Sequence, residues 1–597
     1  MPDTGLQNPP LFKVETRRQR LERLRNQLEI ERTSFLDHWK QIAKKLLPHR
    51  ALFQITDSNR GDRKNLDILD STATYASHVL ASGMMAGVTN PARPWFRMTT
   101  SDPDLSDVES VKAWLHTVIE RMLALMVRTN LYDSLPAFYE DGADFGTAAM
   151  MVEEDLEKIF HTEVFPVGSY YLSMDDKGRI RVFFREFRLT VRQLIEKFGH
   201  DFPGDEIHWE RFSEYVHTLW EQGSWDTWIE VYHAIEPNED WNPERIEAKY
   251  KRYRSTYYER GTGGGRWNES YQTATPYDDR LLRESGFDYF PVLVFRWSTR
   301  AGDVYGVDCP GMMALGDINM LQKLESRGLQ ALEKLINPPL QGPPELKNEK
   351  VSLIPGDMTY VASFQTSQGV RPIHEIRQFG FQELKVWEAE IRERIYQAFS
   401  VNIILSLTTT DRRDITATEV EERKEEKLLA LARVLQRLDQ DVLNPLIDII
   451  FGIMLKFGLL PEPPPELQGQ ELRIEYISIL SLAQKLVGIG GFERFVAFAA
   501  QLGTIRPETL DNLDFDRIVK EYAERTGVPP PIMISSDEVD LIRARRAQAV
   551  QAQAMAAAIP QGAKAAKDLA GAKLDDRSAL TELLSAAQAG GRVLGAA

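Results

Sequence analysis

Cys309 is the only cysteine in the 597 residues, which excludes an internal disulfide and any cysteine-rich metal cluster. No Gly-Lys-Ser/Thr occurs anywhere, so the phosphate-cradling loop of an ATP-driven motor is missing. The one glycine-rich run, Gly261-Thr-Gly-Gly-Gly265, lies between Tyr257-Tyr258 and Trp267 and reads as a hairpin turn. His374-Glu375 has no second histidine four residues on, so the zinc-protease pattern fails as well. His78, His116 and His233 fall inside helical or strand patterns and read as packed side chains. Long apolar runs are also scarce. Leu443 to Leu460 is interrupted by Asn444, Pro445, Asp448 and Lys456 and reads as a buried helix rather than a membrane span. The N-terminus lacks the apolar core of a signal peptide. Finally, there is no long basic run: 88 acidic residues outweigh 72 basic ones, for a net charge of −16. A protein that grips nucleic acid through many phosphates needs a basic face. A tight, static DNA clamp is therefore not expected, whereas an acidic surface past which DNA slides fits the charge. No cofactor or metal site is expected.

The length implies several domains or lobes, because a single core stops growing well below it. A composition with 43% hydrophobic and 27% charged residues belongs to a folded soluble protein. Glu15 to Leu47 reads as one charged helix, and Asp70–Val88, Val108–Thr129 and Leu131–Ala143 as three more. From Gly146 the period changes. Ala148–Glu153, Phe160–Phe165, Ile180–Phe187, Trp228–Ile235, Lys249–Tyr258 and Phe290–Trp297 read as strands, with Asp175–Gly178 and Glu153–Asp155 as turns. Leu189 to Phe198 returns to helix. The fold class that follows is α+β, predominantly α.

Two helices in the second half stand out. The first starts at Pro310, a residue suited to the first helical turn, and stops at Asn337-Pro338-Pro339. Leu321, Leu324 and Leu332 recur along one side of it. The second, Phe381–Phe399, repeats the pattern with Trp387, Ile391 and Ile395 among many charges. Such rods with a thin apolar seam suit packing against copies of themselves and make poor lone core helices. Between them lies an insert rich in proline. After them comes a polar loop, Thr408-Thr409-Thr410-Asp411-Arg412-Arg413-Asp414. Thr416 and Glu419 then have capping-box spacing for a long helix, with a kink expected at Pro445. Residues 539–559 read as an alanine-rich helix followed by a tail.

One enzyme-like pattern is present: Trp220, Trp225, Trp228 and Trp241 interleave with Asp226, Glu230, Glu236 and Glu239. Aromatics beside paired carboxylates are what a glycosidase cleft needs, so a carbohydrate-active enzyme built on residues 220–241 is the alternative reading. The bland account is aromatic packing with solvated acids.

Several segments, in order, are similar to a known family: Asp70-Ser-Thr-Ala73, Leu80-Ala-Ser-Gly-Met84, Pro94-Trp-Phe96, Asp144-Phe-Gly-Thr-Ala-Ala149, Phe184 to Phe198, and Thr416-Ala-Thr-Glu-Val-Glu-Glu-Arg423. Across residues 16–460 the chain resembles the portal, or head-to-tail connector, proteins of short-tailed bacteriophages. That resemblance implies a structural, non-enzymatic subunit of a ring, usually of twelve copies, at one capsid vertex. The ring is built in the host cytoplasm and carried in the virion, and double-stranded DNA is packaged and ejected through its channel. It further implies a wing (1–304), a first stem helix (305–336), a clip (337–378), a second stem helix (379–400), a tunnel loop (401–416), a wing return helix (417–460), a crown (461–538) and a C-terminal barrel helix with a flexible tail (539–597). The implied partners are sibling copies, DNA, the terminase large subunit, capsid and scaffolding protein, and tail adaptors, with no membrane. Glu345, Lys347 and Lys350 of the clip would meet motor or tail, and residues 408–414 would touch passing DNA.

Overall fold

The structure is a computed structural model, which describes residues 16–50, 52–53, 66–100, 102, 105, 108–201, 205–260, 280–338, 340–341, 371–372, 381–408, 433–467, 472–476, 495–502, 506, 513–526 and 538–552. The chain divides into two units, Met1–Asn512 and Leu513–Ala597.

The first unit opens with α1 (Arg17–Lys45), whose Thr16 and Gln19 form the reciprocal bonds of a capping box. Then come α2 (Thr72–Val88), β1 (Phe96–Thr100), α3 (Glu109–Arg128), α4 (Leu131–Phe145), β2 (Thr147–Asp155), β3 (Ile159–Phe165), β4 (Tyr170–Met174), β5 (Ile180–Thr190), α5 (Val191–Phe198), α6 (Glu214–Glu221), β6 (Trp228–Pro237), β7 (Tyr253–Glu259), β8 (Arg283–Phe287) and β9 (Val292–Arg296). Strands β4 to β8 form an antiparallel meander, and β3-β2-β9 a separate antiparallel sheet. The continuous apolar run of β2 marks a strand buried on both sides, and Ala148 to Val152 are inaccessible to solvent.

A charged helix such as α1 can still bury one face. Arg18, Arg25 and Arg32 are seven residues apart and return to the same side. Their guanidinium carbons lie 5.7, 5.0 and 3.8 Å from the ring centres of Tyr258, Tyr232 and Tyr171 on β7, β6 and β4. Three cation–π contacts thus join the helix to the meander. Two local expectations need correction. Glu153–Asp155 end strand β2 rather than forming its turn, which is made by residues 156–158 with Leu156 at the solvent-exposed tip. Leu189 and Thr190 end β5 rather than opening a helix, because the Thr190 side chain is the N-cap of α5.

The remaining elements are α7 (Pro310–Ile336), β10 (Leu340–Gln341), β11 (Arg371–Pro372), α8 (Phe381–Ala398), α9 (Val401–Thr408), a π-helical turn (Asp439–Leu443) running into α10 (Asn444–Lys456), and β12 (Leu472–Tyr476). The change of helical pitch falls just before Pro445, which occupies the first turn of α10. β10 pairs with β11 at the neck of the proline-rich insert. β12 returns to pair with β1, Phe96 opposite Tyr476 and Thr100 opposite Leu472.

The helices α7 and α8 are not the lone rods that their thin seams predict. Ala314, Leu315, Ile318 and Leu321 of α7, with Ile391 and Ile395 of α8, belong to the principal core. Each such side chain contributes on the order of 1.5–3 kcal/mol on burial. Nor are residues 401–408 a loop. Val401 and Ile404 are buried, and α9 lies so close to α2 that a Cβ on Gly83 would meet the Ile404 Cγ2 at 2.3 Å. In the second unit α11 (Phe515–Thr526) carries Asp516, which takes both guanidinium nitrogens of Arg543 at 2.6 Å.

Candidate functional site

The site is the root of the α7–α8 pair and the free length beyond it. α4 ends at Gly146, whose positive φ of 78° turns the chain into β2. There the backbones of two segments touch. A Cβ on Gly306 would stand 1.9 Å from the Gly146 carbonyl oxygen, and one on Gly311 2.3 Å from that of Asp144. The Gly306 amide donates to Thr147 Oγ1 at 2.8 Å, and Cys309 Sγ donates to the Asp144 carbonyl oxygen at 3.2 Å. Burial raises the Cys309 thiol, so this is an inert structural cysteine and not a nucleophile.

Beneath this contact lies a buried polar group. Ser77 Oγ donates to Asp144 Oδ2 at 2.7 Å, while Asp144 Oδ1 has no hydrogen-bond partner. Arg50 donates from Nε and Nη2 to the two oxygens of Asp141, at 2.8 and 3.0 Å. Glu140, one turn away, lies 2.5 Å from His78 Nδ1. Burial pushes Asp144 well above the usual carboxylate range, and pushes Asp141 up to about 7 against the pull of Arg50.

A second set of bonds ties the two helices to the start of α2. Gln322, buried on α7, accepts the amides of Leu69 and Asp70 at 2.7 and 3.1 Å and donates to the Asp70 carbonyl at 2.7 Å. Arg392 on α8 donates to Asp70 Oδ2 from Nε and Nη2, at 3.0 and 2.9 Å, and to Glu325 Oε1 at 2.6 Å. Burial alone would raise Asp70, but the bonds from Thr72 and Arg392 outweigh it and hold the carboxyl below its ordinary value. Burial and the nearby Glu388 raise Glu325. Among the described residues Arg392 is thus the one cation shared by Asp70 and Glu325. Arg392→Ala is expected to cost about 1–2 kcal/mol, because hydrogen bonds to a charged group contribute roughly 1.5–3 kcal/mol and partial exposure of the guanidinium lowers that. Scanning calorimetry checks it, and an unchanged midpoint would remove the latch.

Beyond the latch the pair is bare. Leu329, Leu332 and Ile336 on α7 and Val386 and Trp387 on α8 are all exposed, Trp387 by 58% and Ile336 by 76%. Of the residues predicted for a subunit interface, Leu332 and Trp387 lie on this free length and Leu324 is half-buried. Leu321, Ile391 and Ile395 are fully enclosed by the chain's own core and are no surface for a neighbour. Thr408 ends α9, whereas Thr409, Thr410, Asp411, Arg412, Arg413 and Asp414 lie outside the described residues, as do Glu345, Lys347 and Lys350. The latch residues Gln322 and Arg392 were not anticipated. Their only advance signal was Asp70, which opens one of the family-like segments.

The glutamates of the acidic, aromatic stretch are taken up by arginines: Glu230 is engaged by Arg188 and Arg260, Glu236 by Arg17 and Arg20, and Glu239 by Arg20. Trp220 packs on Trp209 and Trp225. Among the described residues no group of His, Cys, Asp or Glu is arranged to hold a metal, and no helix is long and apolar enough to cross a membrane.

The family profile described as "Bacteriophage head to tail connecting protein" matches residues 18–534. The chain belongs to this family. It is 41% identical over 579 residues to the portal protein of Salmonella phage epsilon15, covering 96% of this chain and 99% of that one. To the probable portal protein of Bordetella phage BPP-1 it is 38% identical over 560 residues, covering 94% and 96%. Among solved structures, a chain from the virion of a native gene transfer agent particle aligns over 70% of this chain and 95% of its own, with 10% identity. The TM-score of that alignment is 0.26.

Proposed function

We propose that this connector chain is the portal subunit of a tailed phage, twelve copies of which form a ring at one capsid vertex. In this reading α7 and α8 surround a channel through which double-stranded DNA enters and leaves. The proline-rich insert meets the terminase large subunit during packaging and tail adaptors afterwards. The wing contacts capsid and scaffolding protein. Two portal proteins near 40% identity over almost the whole chain support it.

The observation that carries the assembly is the free length of the helix pair. Leu329, Leu332, Ile336, Val386 and Trp387 are exposed on two neighbouring rods in a single copy. Large apolar groups gathered on one exposed stretch mark a protein contact. A chain of net charge −16 also suits a conduit, because dense phosphate contacts would stall a moving duplex. Negative-stain imaging of the purified chain is expected to show rings with a central hole of duplex width; compact monomers would overturn the assembly. Arg412→Glu with Arg413→Glu is expected to leave the rings intact while impairing DNA packaging or retention. Normal packaging would remove the loop's assigned contact with DNA.

A further inference from the structure

The two free rods carry opposite charge on their outward faces. On α7, Lys323, Arg327 and Lys334 are exposed. At about 100° per residue they fall within about 40° of one another. They lie on the side away from α8, because Glu325 and Gly328, which meet Arg392 and Leu384 of α8, occupy the opposite side. On α8, Glu383, Glu390 and Glu393 are likewise exposed. They lie opposite the buried Ile391 and Ile395. None of these six side chains has an oppositely charged partner among the described residues. Two arginines of α8 are by contrast matched within the chain, Arg394 to Asp317 and Arg392 to Asp70 and Glu325.

The stripes also agree in length and height. Lys323 to Lys334 spans about 16 Å and Glu383 to Glu393 about 15 Å. Leu384 lies against Gly328 and Arg392 reaches Glu325, so both stripes occupy the same stretch of the antiparallel pair. Exposed apolar groups sit among the charges, Val386 on the acidic face and Met320 beside the cationic one.

We propose that the stem of each copy docks head to tail on the next, the cationic face of α7 against the acidic face of the neighbour's α8. The proposal rests on the ring reading above and specifies which surfaces make the ring. A contact between two different faces of the same chain is heterologous, and it propagates in one sense until it closes. Each exposed ion pair adds little affinity, but opposed stripes fix register and reject wrong alignments. Repetition at every subunit boundary multiplies the effect. The rival occupant of the α7 stripe is DNA phosphate, which would leave the acidic α8 stripe unexplained.

Charge reversal tests it. Variant A carries Lys323→Glu, Arg327→Glu and Lys334→Glu; variant B carries Glu383→Lys, Glu390→Lys and Glu393→Lys. All six sites are exposed, so each variant is expected to keep the wild-type far-ultraviolet dichroism and melting temperature. In native mass spectrometry, neither variant alone is expected to form rings, a loss of at least tenfold in ring population. A 1:1 mixture is expected to recover rings in which A and B alternate, since every boundary then joins opposite charges. Rings from A alone and B alone, with wild-type rings as control, would overturn the pairing and leave the ring reading standing. A mixture that stays monomeric would also overturn it. Rings from A that fail only to hold DNA would assign the α7 stripe to phosphate. Failure of the wild-type chain itself to form rings would sink the ring reading and the pairing with it.

Discussion

Gly306→Ala is expected to be among the most damaging single-methyl changes in the chain, lowering stability by about 3 kcal/mol or more, the upper end of overpacking costs. The added carbon would stand 1.9 Å from the Gly146 carbonyl oxygen and 3.1 Å from the Trp297 amide nitrogen. Both are backbone, so no side chain can rotate away. The Trp297 amide donates to the Gly146 oxygen at 2.9 Å, and Gly306 itself donates to Thr147. Relief therefore means pulling the segment that leads into α7 away from the end of α4. Gly311→Ala meets the Asp144 backbone at 2.3 Å and is expected to act in the same direction. Gly316→Ala is the internal control. It adds a methyl to the same helix with nothing within 4 Å and is expected to stabilise by about 0.5–1 kcal/mol. Thermal unfolding of the three variants decides the matter. If Gly306→Ala melted with the wild type, the backbone seam would not be what seats α7 on the end of α4.

How much of this was legible beforehand depends on how local each cause is. Pro310 and Asn337-Pro338 punctuate α7 within the sequence itself, and the helix runs between them. Strands with alternating or continuous apolar residues, such as β2, β3 and β6, were visible for the same reason. β8 was not: Arg283-Glu-Ser-Gly-Phe287 has no period, and only β7 beside it makes it a strand. Glu15 to Leu47 reads only as a charged helix, and the role of its heptad-spaced arginines is hidden because their tyrosine partners arrive from strands more than a hundred residues away. Leu321, Ile391 and Ile395 were misjudged for a related reason. Spacing identifies an apolar seam but not what covers it, and the cover here is the chain's own core. The latch was hidden too, since Asp70 and Arg392 are 322 residues apart. Charge signs on the rods could be read, yet which face was free required knowing where α8 lies.

The buried carboxyls beneath the start of α7 predict how stability follows pH. Asp144 is enclosed between α2 and the first turn of α7, with Ser77 donating to one oxygen and the other unpartnered. The charged groups around it are Glu140 and Asp141 on its own helix and Arg50 from the segment after α1. Burial, the largest influence, favours the protonated form, and the two neighbouring carboxylates act in the same sense. The folded chain thus holds a proton at pH values where the unfolded chain, with an ordinary aspartate pKa near 4, has lost it. Unfolding releases that proton, so raising the pH favours unfolding. The stabilisation is fully present below about pH 4 and falls by up to about 1.4 kcal/mol per pH unit until the folded-state pKa is passed. Asp144→Asn keeps the shape, retains an acceptor for Ser77 and removes the proton equilibrium. Its melting temperature is expected to approach that of the wild type near pH 4 and to exceed it increasingly as the pH rises above that, until the folded-state pKa is passed. Asp141, raised to about 7 by burial, stays in both proteins and largely drops out of the difference. Parallel melting curves across that range would show that Asp144 is ionised in the fold, and that Arg50 serves both carboxylates rather than Asp141 alone.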